Sequence, residues 1–188
     1  MTLPIRTGRL LLRRFMQQDL ADVLDYLAHP SVAQATPEIE ATADGVRNYI
    51  EMQNSYAPFE LDKCFDLAIE RLIDGKVVGM LTLVRRKNNL GEIGYALGIH
   101  YRGRGYATEA AGALMDYAFA ELGLHRIQAT TSADNPDSYK VMERLGMRRE
   151  AHLREATLRD GAWVDELIYA ILAREWRARD GGVEADGG

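Results

Sequence analysis

A single cysteine, Cys64, among 188 residues leaves no partner for an internal disulfide. That scarcity fits a reducing compartment, and a cytoplasmic protein is expected. Long apolar runs are also missing. Glu, Asp or Arg interrupts every candidate before the roughly 20 residues needed to cross a bilayer, and no stretch joins a basic start, a long apolar run and a small-residue cleavage site. A soluble chain with no membrane role is expected. Positive charge is not in excess: 23 Lys and Arg stand against 28 Asp and Glu, for a formal net charge of -5. This removes the general balance that drives sequence-independent nucleic-acid binding, so no direct nucleic-acid partner is expected. The local clusters Arg13-Arg14, Arg85-Arg86-Lys87 and Arg148-Arg149 read as solvated strand ends. His29, His100, His125 and His152 are isolated from one another and form no HxxxH or HExxH pattern, so no structural or catalytic metal is expected.

The length suits one domain that buries roughly two thirds of its unfolded surface. Residues 9–15, 64–71, 76–85, 91–99, 126–132, 147–158 and 163–172 read as strands, with Asp74-Gly75 and Asp160-Gly161 as hairpin turns. Residues 19–28, 42–52, 108–122 and 136–145 read as helices. In the third of these, Ala107, Ala110, Ala111, Leu114, Met115, Ala118 and Leu122 fall on one face, whose small side chains let a helix lie close to a sheet. Residues 54–62 are expected to be a mobile loop, and the chain from Glu175 onward is expected to fray. The fold class is α/β (α+β): one domain over residues 1–178, with a mixed sheet of six to seven strands and about four helices, and a flexible tail over 179–188.

The segment Arg102-Gly103-Arg104-Gly105-Tyr106-Ala107 leaves the strand at 91–99 and opens the helix that follows. Two glycines allow a tight turn with main-chain N–H groups near a ligand, and a helix N-terminus adds unpaired donors and a positive dipole end. Arg102 and Arg104 add charge where a phosphate would sit. By themselves these residues equally fit an arginine-rich surface turn. A P-loop is excluded because no Gly-Lys-Ser or Gly-Lys-Thr occurs. A dinucleotide fingerprint fails too, since Thr108 stands where its third glycine belongs.

The remaining phosphate-binding pattern is [QR]-x-x-G-x-[GA], met by Arg102, Gly105 and Ala107. Together with Glu92-Ile93-Gly94-Tyr95, Tyr106-Ala107-Thr108-Glu109-Ala110 and Asn135-x-x-Ser138-x-x-Val141-x-x-x-Leu145-Gly146-Met147, it resembles the GNAT N-acetyltransferases, in particular their RimJ/RimL-like branch. The likeness extends to Arg9-Leu10-x-Leu12-Arg13 and to Asp160-Gly161-x-Trp163-x-Asp165. The resemblance implies acetyl-CoA as cosubstrate. Its pyrophosphate would lie on the amides of Gly103, Arg104, Gly105, Tyr106, Ala107 and Thr108 beside Arg102. Its pantetheine arm would pair with Leu97, Gly98 and Ile99 and hydrogen-bond Asn135. Asn135 also reads as an N-cap before Pro136. A bulge or splay is implied near Gly98, where the fourth and fifth strands part. Lys140 and Arg144 would be within reach of adenosine phosphates, or are plain solvated helix charges.

Direct acetyl transfer needs an uncharged amine, a polarised carbonyl and a thiolate that leaves with little help. Glu92 is the first candidate for the base, with Glu155 and Asp66 as alternatives. Many family members place a tyrosine acid where this chain has Met142, so Ser138 is the stand-in near the sulfur. Cys64 has no neighbouring His and reads as a buried structural thiol, so a ternary complex is expected without an acetyl-enzyme. The acceptor implied by the resemblance is a primary amine, such as the N-terminus of a ribosomal or other protein. Small amines (antibiotic, polyamine or amino acid) and a non-catalytic acyl-CoA sensor are the alternatives, in a monomer or homodimer.

Overall fold

A computed structural model describes residues 3–159 and 161–180. Its sheet is assembled from hairpins. β1 (Ile5–Arg6) and β2 (Leu10–Arg13) lead into β3 (Cys64–Arg71) and β4 (Val77–Arg86), all antiparallel. The turn between β3 and β4 carries Gly75 at φ +69°, a conformation that glycine reaches without a Cβ clash, as the Asp-Gly pair predicts. β5 (Leu90–Leu97) returns along β4, with Leu90 opposite Arg86 and Leu97 opposite Gly79. The chain then passes through α4 (Tyr106–Ala120) and comes back as β6 (Arg126–Ser132), parallel to β5. A parallel neighbour requires such a crossover. β7 (Arg148–Arg159) and β8 (Ala162–Leu172) close the sheet as a hairpin, giving the order β1-β2-β3-β4-β5-β6-β8-β7.

Alternation along the strands splits the core in two. Phe65, Leu67 and Ile69 of β3 and Val78, Leu81 and Leu83 of β4 face α4 and α5 (Pro136–Arg144). Ala68, Val77 and Met80 face the other layer, made by α1 (Leu20–Leu27), α2 (Pro30–Ala33) and α3 (Ala43–Ser55). α4 buries Ala110, Ala111, Leu114, Met115, Ala118 and Phe119, so its small residues do bring it down onto the sheet. The helix begins at Tyr106, two residues before the expected start.

The sheet has eight strands among the described residues, more than the six to seven expected, and six α-helices stand where about four were expected. The two-residue β1 and the four-residue α2 are too short to leave a periodic signal. The sixth helix, α6 (Ala173–Asp180), corrects the expectation that the chain frays from Glu175. Trp176 holds it down, 7% exposed, with its ring 6.1 Å from Phe119 and its Nε1 donating to Asp116 at 2.7 Å. Residues 181–188 and Asp160 lie outside the described residues. The expected mobile loop is likewise pinned: Phe59 is buried, 4.8 Å from Phe65 and 5.2 Å from Tyr117. Burying such a ring contributes about 1.5–3 kcal/mol.

Candidate active site

β5 ends at Leu97, and a single 3-10 turn over Ile99–Tyr101 carries the chain to the glycines. Gly103 and Gly105 sit at φ +72° and +79°, left-handed conformations that cost an L side chain about 1–2 kcal/mol. Gly105 is the N-cap of α4, and the first helical bond runs from the Glu109 N–H to the Gly105 carbonyl at 3.0 Å. The N–H groups of residues 103–108 therefore have no hydrogen-bond partner among the described residues. These six donors lie at and just before the positive end of a four-turn helix, a ready anion cradle.

Arg9 fastens this loop. Its Nη1 donates to the Arg104 carbonyl at 3.0 Å, its guanidinium lies 4.8 Å from the centre of the Tyr106 ring, and its Nε donates to Glu109 at 2.6 Å. Glu109 also accepts from Thr7 Oγ1 at 2.6 Å and from the Arg9 N–H at 2.9 Å. Burial opposes its charge, yet these donors hold the Glu109 carboxyl below its usual range. The two loop arginines differ in position. Arg102 turns back, its Nε donating to the Leu97 carbonyl at 3.2 Å and its Nη2 to Ser31 at 3.3 Å, while Arg104 is exposed. Beside the cradle, an open cleft of about 460 Å³ runs along α4 between Thr108, Gly112, Asp116, Arg6 and Arg179.

Next to the cradle the sheet opens. β5 and β6 share only three register pairs, Leu90 with Arg126, Gly91 with Ile127 and Glu92 with Gln128, and then part. These are the fourth and fifth strands of the sequence reading, so the expected splay is present. It starts just past Glu92 rather than near Gly98, and β5 carries no bulge. The Gly98 N–H donates to Val78 at 2.9 Å, which assigns residues 98, 96 and 94 to β4. By alternation the main-chain groups of Ile93, Tyr95 and Leu97 face the opening. Ile99 lies beyond the strand, in the turn.

α5 borders the opening from the α4 side. Asn135 caps it, its Oδ1 accepting from the Ser138 N–H at 3.2 Å, which leaves the side-chain NH₂ without a partner among the described residues. The Tyr95 hydroxyl donates to the Ser138 carbonyl at 2.8 Å and receives the Ser138 hydroxyl at 3.3 Å. Burial lifts the Tyr95 phenol to about 12, against the bond from Ser138. Met142 is buried beneath, and Lys140 and Arg144 are exposed on the helix.

The opposite sheet face carries the acids. Glu92 is half-exposed and 3.7 Å from Arg86. Asp66 is buried and accepts from Tyr49 and Gln53 at 2.6 Å and from Thr82 at 2.5 Å. Burial pushes its carboxyl up to about 6, against the bonds from Thr82 and Tyr49. Glu155 is not brought to this place: it lies in the bulge of β7 at φ +48°, with β8 and β6 between it and β5. Cys64, expected to be buried, is exposed at the start of β3, and desolvation first, then Asp66, raises its thiol. A raised thiol is a poor nucleophile. Among the described residues no cluster of three or more His, Cys, Asp or Glu could hold a metal, and no helix is long and apolar enough to cross a membrane.

Residues 9–148 match the family described as Acetyltransferase (GNAT) domain. The chain belongs to this family. It is 33% identical over 175 residues to an uncharacterized N-acetyltransferase, YnaD, of Bacillus subtilis, covering 92% of this chain and 98% of that one. A GNAT-family acetyltransferase of Bacillus anthracis superposes with a TM-score of 0.79 at 32% identity, covering 92% of this chain and all of that one. Over 100 residues, 53% of this chain and 52% of the relative, it is 29% identical to the [ribosomal protein uS5]-alanine N-acetyltransferase of Escherichia coli. This GNAT protein is thus an N-acetyltransferase, and acetyltransferases of the family use acetyl-CoA.

The sequence reading missed Thr82, and it named Arg9 and Tyr95 only as part of the family likeness, without a role. Asp66 and Thr82 did carry a signal, because each interrupts the apolar run of its strand, Phe65 to Ile69 and Val77 to Val84. For Arg9 and Tyr95 the likeness marked the positions but not the contacts, since their partners are distant along the chain.

Proposed function

We propose that the protein transfers an acetyl group directly from acetyl-CoA to a primary amine, and that the acceptor is the N-terminal amine of a protein. The observation that carries this is the cradle of unpaired amides at residues 103–108 set beside the opening between β5 and β6. The cradle suits a pyrophosphate, and Arg9 holds its shape. The main-chain groups of Ile93, Tyr95 and Leu97 offer an edge for an amide-bearing arm, which the Asn135 amide at the start of α5 would join in binding. The cleft past Thr108, between Arg6 and Arg179, would take the nucleoside end. Ser138 stands at the opening as a hydroxyl for the departing sulfur. The acids on the far face, Asp66 and Glu92, suit an acceptor that arrives as a cation. A protein N-terminus is favoured by the relative that is a ribosomal-protein alanine N-acetyltransferase.

The test is thiol release from acetyl-CoA with peptides bearing free N-termini, run beside a panel of small amines. Turnover that requires a free peptide N-terminus is the expected result. Turnover with small amines alone would replace the acceptor, CoA binding without amine-dependent turnover would make the protein a sensor, and absence of CoA binding would overturn the reading altogether.

A further inference from the structure

The sheet face covered by α1 and α3 carries one row that a core does not explain. Register sets Asp66, Thr82 and Gly94 side by side on β3, β4 and β5, next to the apolar row Ala68, Met80 and Ala96. Asp66 is 3% exposed, as are two of its donors, Tyr49 and Gln53. Its third donor is different. Thr82 is partly exposed, so its hydroxyl is the member of the network that joins the buried carboxylate to the outside.

Gly94 determines what lies over that hydroxyl. A Cβ at Gly79 would stand 2.1 Å from the Ala96 carbonyl oxygen and at Gly98 2.8 Å from the Tyr26 Cβ, so packing forces glycine at those two positions, while at Gly91 it would press on the end of the Leu124 side chain at 2.6 Å, which must give way. At Gly94 it would meet only Thr82, at 3.7 Å from Cβ and 3.9 Å from Oγ1, in ordinary contact. The Gly94 backbone does not take a positive φ either. Neither packing nor conformation requires glycine there; a side chain would simply cover the Thr82 hydroxyl. Position 94 also lies past the last β5–β6 pair, within the open part of the sheet. On the same face the Tyr26 hydroxyl is buried without a partner among the described residues, and after burial itself the Asp66 charge does most to raise its phenol.

We propose that the acceptor ammonium docks over Gly94 and gives up its proton to Asp66 through the Thr82 hydroxyl. This assignment rests on the acetyl-transfer reading above. One N–H bond of the ammonium breaks as its proton passes to Thr82 Oγ1, and the original Thr82 proton moves to Asp66 Oδ1. The result is a neutral amine, an intact threonine and a neutral Asp66. The nitrogen lone pair then forms the C–N bond, the C–S bond breaks with its electrons going to sulfur, and a second nitrogen proton converts the thiolate to thiol. Asp66 returns its proton to water by the same hydroxyl. The groups around it are Glu38 before α3, Tyr26 of α1, Tyr49 of α3, Cys64 of β3, and Glu92 of β5 with its partner Arg86; the acids among them favour a cation at this spot.

The experiment is the pH dependence of kcat/KM, measured by thiol release with the best peptide acceptor. The wild type should lose activity on its acidic side near pH 6, where Asp66 takes up a proton. Thr82→Val and Asp66→Asn should both move that limb toward the amine's own pKa of about 7.7–8.0, with a loss of about tenfold at pH 6.5. Thr82→Ser should keep the wild-type limb. Gly94→Ala should raise KM for the amine and leave CoA affinity unchanged. Unmoved limbs in Thr82→Val and Asp66→Asn would overturn the relay while leaving acetyl transfer intact; should Asp66→Asn fail to fold, Thr82→Val decides alone. Absence of amine-dependent thiol release in the wild type would instead overturn the reading on which the relay rests, and the relay with it.

Discussion

The Tyr95 hydroxyl and Ser138 exchange hydrogen bonds: Tyr95 donates to the Ser138 carbonyl at 2.8 Å, and the Ser138 hydroxyl donates back at 3.3 Å. This pair ties β5 to α5 across the opening in the sheet and fixes where the serine hydroxyl points. Tyr95→Phe should cost about 1–3 kcal/mol of stability through the two lost bonds, read by denaturant unfolding. In both Tyr95→Phe and Ser138→Ala, kcat should fall with KM for acetyl-CoA unchanged. The fall should be about tenfold, because a thiolate with a pKa near ~8.5 leaves with little help and does not need the ~10²–10⁴ supplied by a strong general acid.

Arg9 is half-exposed, so its ion pair with Glu109 contributes little to stability, about 0.2–1 kcal/mol. Its consequence lies in the loop, since among the described residues Arg9 is the side chain bonded to the Arg104 carbonyl. Arg9→Ala should leave the unfolding midpoint nearly unchanged and weaken CoA binding several-fold. Titration calorimetry beside thermal unfolding separates the two effects, and equal losses in both would mean that Arg9 is merely structural.

How far the sequence could be read depended on the range of the interactions. The loop at 102–107, the cap at Asn135 and the turn at Asp74-Gly75 are set by neighbours in the chain, so residue types alone place them. The parting of β5 from β6 was legible through family likeness, but its starting point was not, because it depends on which β5 groups β4 has already claimed. Phe59 and Trp176 look like loop and tail aromatics until Phe65, Tyr117 and Phe119 arrive from distant elements. Asp66 illustrates the same limit. Its polar interruption of an apolar strand is visible in the sequence, whereas its three donors from α3 and β4 are not.

Gly105 tests the cradle itself. At φ +79° an alanine would be strained by about 1–2 kcal/mol, and its Cβ would approach the Arg9 guanidinium to 3.4 Å. Gly105→Ala should therefore lower CoA affinity more than Gly103→Ala, whose Cβ would meet nothing within 4 Å. Competition of CoA against a fluorescent analogue measures the difference, and the reverse order would show that strain at Gly103 governs the loop.

Asp66 should also leave a mark on stability. Its carboxyl titrates near 3.8 when unfolded and is raised to about 6 in the folded protein. A raised folded pKa means that the folded state binds the proton more tightly, so this contribution is full below pH 3.8 and is lost as pH climbs through 6. The difference corresponds to about 3 kcal/mol at its upper bound, since each unit is worth about 1.4 kcal/mol. Asparagine cannot ionise but offers a single oxygen to three donors, so Asp66→Asn need not be more stable at any one pH. The informative quantity is the slope. Between pH 4 and 6.5 the unfolding free energy of the wild type should decline relative to that of Asp66→Asn, whatever the other carboxylates do in both proteins. Parallel pH profiles for the two would show that folding does not raise the Asp66 carboxyl, and would remove the acid limb near pH 6 that the Thr82 relay predicts.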